Sequence, residues 1–381
     1  MSSTSQSSHL PRRDPGDWGK IQVAPGQDCD VDVKVSESYS GRDVSFPVHV
    51  KRGLKPGPTV FVTAAVHGDE LNGTGAIRSL IVDPEVELLA GTLLLVPVVN
   101  VLGFETHSRY LPDRRDLNRC FPGSASGSQA SRLARVVFEE IVGRCDYGID
   151  LHTAAVRRTN FPNVRGYLED AKVRELAEAF GCEILVNDHG PEGAFRRAAC
   201  DSGCATIILE AGEVWKVEPS VVEYARRGVK NVLRSFGMIS GNVRQPAFRS
   251  VVEKMTWVRS NKAGFLQFHV SPGNTVQKDD ALATCTTLLG REPVVIEAPC
   301  DGIVLGMTTL PVTAPGEPVC HIAQLPKGTA RLDRILDEIS DTTLHLRIQD
   351  ALTTNIHVVE AVDPEETTSA NPENDPADEE D

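Results

Sequence analysis

Hydrophobic and polar positions along this chain follow two different periods, and the period changes with the segment. From Asp30 to Gly53 the stretch DVDVKVSESYSGRDVSFPVHVKRG alternates apolar and polar residues, which predicts half-buried strands. PTVFVTAAV (58–66), GTLLLVPVV (91–99), YGIDLHT (147–153) and ATIILEAGE (205–213) are short, mostly apolar runs, as strands covered on both faces require. LNGTGAIRSLI (71–81), QASRLARVVFEEIVGR (129–144), AKVRELAEAFG (171–181) and PSVVEYARRGVKNVLRSFG (219–237) carry apolar residues at helical spacing, and the last two end in glycine, a C-cap signal. Strands alternating with helices from 28 to 245 predict an α/β fold with a central mixed, mostly parallel sheet flanked by helices.

The texture changes at about residue 246. From there to 330 long helical patterns are absent, and short apolar runs are punctuated by SPGN, CDG and APGE, which predicts a small all-β module. Residues 331–361 are ambiguous: RLDRILDEI has helical spacing, whereas TLHLRIQ and NIHVVEAV look like strands. Residues 1–18, rich in Ser, Pro and Arg, and the acidic segment 362–381 are expected to be disordered.

Composition narrows the function classes. The formal net charge of −14 arises mostly from the carboxylates beyond residue 359, so the folded part is nearly balanced. No basic stripe argues for nucleic acid. No apolar run is long enough to span a membrane, and the N-terminus lacks a signal-peptide core. Nine cysteines, without a paired secretory pattern, fit a reduced, cytoplasmic protein. Cys200 and Cys204 are too isolated to suggest a zinc site.

Three of the apolar runs end in ionisable residues, where functional groups gather in α/β sheets. His67 and Glu70 are spaced i, i+3, so on one helical turn they point the same way and could chelate one metal ion. His152 is the natural third ligand, giving an open catalytic zinc site, one Zn(2+) per chain. Asp150, two residues earlier on the same strand face, could orient a ligand. Taken alone, HGDELNG leaves Asp69 an equal candidate. Glu210 follows Ile207, Ile208 and Leu209; a carboxylate in such a run is costly unless paired or functional, and beside a metal-bound water it would serve as a base. Glu213 competes for that role. The segment SRYLPDRRDLNRCFPG gathers Arg109, Arg114, Arg115 and Arg119 around Asp113, Asp116 and Asn118, a composition suited to a carboxylate or an oxyanion.

HGDELNG, SRYLPDRRDLNRCFPG, IDLHT and TIILEAGE, in that order, resemble the succinylglutamate desuccinylase/aspartoacylase family of zinc-dependent deacylases, which belongs with the zinc carboxypeptidases. The likeness covers roughly residues 55–330. It implies a hydrolase domain at 28–245, zinc ligation by His67, Glu70 and His152, and Glu210 as general base. It further implies Arg109 at the scissile carbonyl, Asn118 and Arg119 on a substrate carboxylate, and a contact from Arg165. The implied reaction is hydrolysis of a small N-acylated amino acid or amine. The alternatives are a metallocarboxypeptidase acting on peptide C-termini and a non-catalytic metal-binding protein. The segment 246–330 resembles a barrel-sandwich domain of the biotinyl/lipoyl type without its modifiable lysine, which points to a structural or gating role. One departure is that Asn100 is followed by Val101 where the family commonly has proline. The partner expected is a small N-acyl molecule, not nucleic acid or membrane; the residues do not specify whether the chain forms a homo-oligomer.

Overall fold

In the computed structural model, residues 12–325, 344–353 and 358–359 are described. A short pairing of β1 (Asp17–Trp18) with β2 (Ile21–Gln22) precedes a long hairpin, β3 (Asp28–Glu37) and β4 (Asp43–Arg52). There follow β5 (Lys55–Ala64), α1 (Asn72–Ile81), β6 (Ala90–Val96), α2 (Val101–Glu105), α3 (Gln129–Glu140) and β7 (Tyr147–His152). Next come β8 (Arg158–Gly166), α4 (Ala171–Phe180), β9 (Ile184–Asn187), α5 (Phe195–Asp201), β10 (Ala205–Gly212) and α6 (Pro219–Ser235). The later part holds β11 (Ser250–Val252), β12 (Met255–Arg259), β13 (Gly264–Phe268), β14 (Thr275–Val276), β15 (Ala281–Thr286), β16 (Val294–Glu297), β17 (Gly302–Thr308), β18 (Val312–Thr313), β19 (Pro318–Gln324) and α7 (Leu344–Thr353).

One 13-stranded mixed sheet runs through the described residues in the order β12-β19-β17-β8-β10-β7-β5-β6-β4-β3, with β14, β9 and β11 branching from it. Its centre, β6-β5-β7-β10, is a continuous parallel block, and a shorter parallel run, β8-β9-β11, branches from it. The hairpin on one side and β8, β17, β19 and β12 on the other are joined antiparallel, so "mostly parallel" describes the middle of the sheet and not its whole width. Strand alternation cannot reveal this, because both pairing modes bury the same faces.

The predicted helices form because each has one apolar stripe to bury. α1, α4, α6 and α7 cover one face of the sheet through a core that includes Ile77, Leu80, Leu176, Phe180, Val229 and Ile348. α3 and α5 cover the other through Leu133, Val137, Phe195 and Ala199. Gly181 ends α4 at φ +80°, the left-handed C-cap its sequence signals. A second sheet, β16-β15-β13-β18, shares a core with β17 and β19 through Leu266, Phe268, Leu282, Val304 and Ile322. The C-terminal β region is therefore continuous with the large sheet: β17 hydrogen-bonds β8 directly.

Two readings of the termini change. Residues 12–18, expected to be disordered, are ordered: Arg12 Nη1 donates to the Cys145 carbonyl at 3.0 Å, and the Arg144 guanidinium lies 4.2 Å from the Trp18 ring centre. TLHLRIQ, read as a strand, contributes to helix α7. Its apolar residues at 344, 346 and 348 fit a period of two, but Leu344, Ile348 and Leu352 form a single buried stripe that joins the core containing α6. RLDRILDEI, most of NIHVVEAV and the acidic segment 362–381 lie outside the described residues.

Candidate active site

β5 delivers the first pair of groups. Its last residue, Ala64, is followed by Ala65 at φ +50°, a left-handed turn uncommon for alanine, which swings the chain into the loop holding His67 and Glu70. The loop is a turn and not a helix: Glu70 N–H donates to the His67 carbonyl at 3.2 Å, and α1 begins only at Asn72. One turn still suffices to bring the side chains together. Gly68 is needed there, since a Cβ would lie 2.1 Å from the Gly103 carbonyl carbon of α2.

Glu70 sits between two imidazoles. Its Oε1 is 2.6 Å from His67 Nδ1 and its Oε2 is 2.8 Å from His152 Nδ1. Each ring has its other nitrogen on a carboxylate: His67 Nε2 is 3.2 Å from Asp116 Oδ1, and His152 Nε2 is 2.7 Å from Asp150 Oδ2. Thr63 donates to the remaining Asp150 oxygen at 2.7 Å, and the Thr153 N–H donates to Glu70 at 3.0 Å. All of His67, Glu70, His152 and Asp150 are buried. Burial alone would raise the pKa of Glu70, but the two imidazoles outweigh it and hold the carboxyl well below the usual range. Burial likewise opposes the imidazolium forms, yet the facing carboxylates raise both histidine pKa values.

The donor chemistry fits zinc. Two imidazoles and one carboxylate each offer an atom within 4.8 Å of the others. Asp116 and Asp150 each engage an Nε2, which leaves both Nδ1 atoms facing the same point, the carboxylate–histidine arrangement that orients metal ligands. Asp69 is buried but turned away: its Oδ1 has no partner among the described residues, and its carbonyl accepts from Trp215. Burial and the neighbouring Glu70 charge raise its pKa.

β7 and β10 pair in parallel with Glu210 opposite His152, so the two side chains emerge together. Asn160 Nδ2 donates to Glu210 Oε2 at 3.1 Å. Arg109 Nη2 is 2.9 Å from Asp116 Oδ2, and its Nη1 is 3.2 Å from His67 Nδ1. Beside these groups lies a cavity of about 250 Å³ lined by His67, Glu70, His152, Glu210, Arg109, Asn118, Arg119 and Arg165. The eight residues to which the resemblance assigns ligand, base or substrate roles thus line one cavity. Arg114 and Arg115 are exposed outside it, and Glu213 is held elsewhere by Lys216 and by Thr309 at 3.2 Å. Asn118 also has a structural duty: its Oδ1 accepts from the Phe195 N–H at 2.8 Å, and Arg119 donates back to its carbonyl at 2.6 Å.

Further residues were not assigned from the sequence. Asp116 joins His67 to Arg109, although it stands inside a segment already marked by its charges. Arg158, Asn160, Asp188, Arg196, Trp257 and His321 also line the cavity. Asn160 and Arg158 reach it through a register shift: β8 pairs Asn163 with Glu210 and Asn160 with Gly212, so one residue too many intervenes and the strand's facing parity flips.

Carboxylates and imidazoles at the carboxyl ends of parallel strands, in a small polar cavity of an α/β sheet, form a site that could hold a metal ion beside a further carboxylate. Residues 56–236 match the succinylglutamate desuccinylase/aspartoacylase catalytic domain, so this part of the chain is similar to the catalytic domain of that family, and the protein is an amide-bond hydrolase of the deacylase type. The N-alpha-acetyl-L-2,4-diaminobutyric acid deacetylase of Halomonas elongata is 28% identical over 297 residues, 74% of this chain and 86% of its own length. A succinylglutamate desuccinylase/aspartoacylase structure from Rhodobacter sphaeroides is similar at 26% identity and a TM-score of 0.67, covering 78% of this chain and 95% of that one. An ectoine utilization protein from Ruegeria pomeroyi shares the fold with a TM-score of 0.70 at 24% identity, over 80% of this chain and 97% of that one.

Proposed function

We propose that the protein is a zinc-dependent hydrolase that removes an acyl group from a small N-acylated amino acid or amine. The observation that carries this reading is the convergence of His67, Glu70, His152, Glu210 and Arg109 on one cavity of about 250 Å³. His67 and His152 would hold the ion through Nδ1 and Glu70 through its carboxylate. When bound, zinc supplies a Lewis acid and a water whose pKa is lowered to about 7.

The chain's own groups do the rest. Glu210 takes a proton and passes it to the departing nitrogen; Asn160 occupies Oε2, which leaves Oε1 for that transfer. Arg109, held in place by Asp116, directs a guanidinium N–H at the carbonyl oxygen as charge builds on it. Arg119 and Asn118 bind the substrate carboxylate, with Arg165 adding a contact. Residues 28–245 form the zinc-carboxypeptidase-like hydrolase domain, and 246–330 a barrel-sandwich module that narrows the cavity. A small cavity favours small substrates over peptide C-termini.

The test is a screen of N-acyl amino acids and N-acyl diamines against the purified protein, with amine release and metal content as readouts. Release with about one zinc per chain is expected from the three-ligand site. Release from peptides alone would replace this reading with a carboxypeptidase, and protein active without any metal would overturn the zinc assignment.

A further inference from the structure

The connection between β10 and α6 ties several parts of the cavity rim together. The Gly212 carbonyl accepts from the Ala154 N–H at 3.1 Å, just beyond the strand end that carries His152. Glu213 Oε1 accepts from the Thr309 hydroxyl at 3.2 Å, on the connection after β17. Glu218 and Asn72 exchange two hydrogen bonds of 2.7 Å, which fix the start of α6 against the start of α1. Trp215 lies between these anchors. Its backbone N–H donates to the Asp69 carbonyl at 2.9 Å, and its indole Nε1–H donates to the His107 carbonyl at 3.1 Å.

Those two carbonyls belong to the two loops closest to the proposed chemistry. Asp69 lies in the turn that carries His67 and Glu70, and His107 lies in the loop that leads into Arg109. Trp215 itself follows Glu210 on the same connection. One residue therefore links the segments that supply the candidate ligands, the base and the oxyanion donor. Asp116 holds the guanidinium end of Arg109 at 2.9 Å; the indole holds the backbone from which that side chain springs.

Packing does not account for this placement. Trp215 is 55% exposed, so burying its ring stabilises the fold little. Its backbone sits at φ +58°, a left-handed conformation that is an outlier for a bulky residue, and His107 sits at φ +51°. Such conformations persist only where the surroundings enforce them, and they gather at functional sites.

We propose that Trp215 is a positioning residue for deacylation: it braces the Arg109 loop against the turn of His67 and Glu70, and so fixes the oxyanion donor relative to Glu210. This rests on the deacylase reading above. A donor aimed at developing charge is effective only when its geometry is set beforehand. Loosening the loop therefore weakens stabilisation of the transition state and leaves ground-state binding in place.

The test compares zinc-loaded Trp215→Phe, which keeps a ring and loses the N–H, with the unaltered protein on an N-acyl amino acid that it hydrolyses. kcat should fall about 10–100-fold, as a small misplacement of a catalytic group produces, with KM, zinc content and urea midpoint unchanged. A phosphonate analogue of the tetrahedral intermediate, measured by calorimetry, should bind more weakly by a similar factor, while the product amino acid binds equally. Trp215→His, whose Nε2 stands as many bonds from the backbone as the indole Nε1, should restore part of both losses. An unchanged kcat overturns the brace. So does a loss accompanied by a lower urea midpoint or lower zinc content, or one that leaves phosphonate affinity untouched. Absence of amine release by the unaltered protein from every N-acyl amino acid would instead remove the deacylase reading, and the brace with it.

Discussion

Glu210 and His152 stand opposite each other on adjacent parallel strands, β10 and β7. Neighbouring strands lie about 4.8 Å apart, so this register alone sets the spacing between the proposed base and a proposed ligand. Glu210→Gln keeps the shape and the Asn160 contact but removes the proton acceptor. We expect unchanged zinc content and a kcat lower by about 10²–10⁴, measured by metal analysis and amine release on the same preparation. Retained activity would assign the base elsewhere.

Asp150 holds His152 Nε2 at 2.7 Å and is itself held by Thr63. Replacing it by Asn keeps the volume and loses the charge that orients the ring. Zinc affinity should fall about 10–100-fold, read by competition with a chromophoric chelator. An unchanged affinity would show that burial alone orients His152.

Gly306 joins the C-terminal β region to the cavity wall by pairing with Asn160 of β8. A Cβ there would lie 2.6 Å from Asn160 Oδ1 and 2.9 Å from the Thr159 carbonyl. Gly306→Ala should therefore displace Asn160 from Glu210, lowering kcat more than zinc affinity, and cost about 1–3 kcal/mol of stability from overpacking. Denaturation midpoints and kcat of the single variant decide between a local and a global effect.

His345 gives the protein an acid-sensitive contact. Its ring packs edge-on against Phe161 and Phe248, and both nitrogens lack partners among the described residues. Burial pushes its pKa down from 6.5 to about 4. A depressed folded-state value means that the neutral ring favours folding. The contribution is complete above pH 6.5 and is lost as pH falls toward 4, to a limit of about 3 kcal/mol. His345→Leu should flatten the fall in urea midpoint between pH 7 and pH 4.5. His321, also depressed to about 4, keeps part of the slope in that variant.

Much of the site was legible along the chain because its residues end strands. Apolar runs stop where a strand leaves the sheet, so His67, Glu70, His152 and Glu210 announced themselves as polar groups at hydrophobic boundaries. The arginine segment announced itself by charge density, though only Arg109 and Arg119 reach the cavity. A local pattern could not tell them from Arg114 and Arg115, because the short 3₁₀ turn at Leu117–Arg119 and its Asp116 cap decide which side chains face inward.

The residues on the far wall left no such mark. Arg158 and Asn160 face the cavity because of one extra residue in the pairing of β8 with β10, and Trp257 meets His321 only because β12 and β19 pair in that register. The sequence by itself determined the alternation of strands and helices, the strand ends and the chemical types gathered there, since each depends on a local period or on a boundary between apolar and polar residues. The tertiary structure alone decided which strands are neighbours, where the parallel block stops, and that the C-terminal β region closes the cavity. Those depend on hydrogen bonds between segments distant along the chain, such as Glu210 with His152 and Gly306 with Asn160, which no local period encodes.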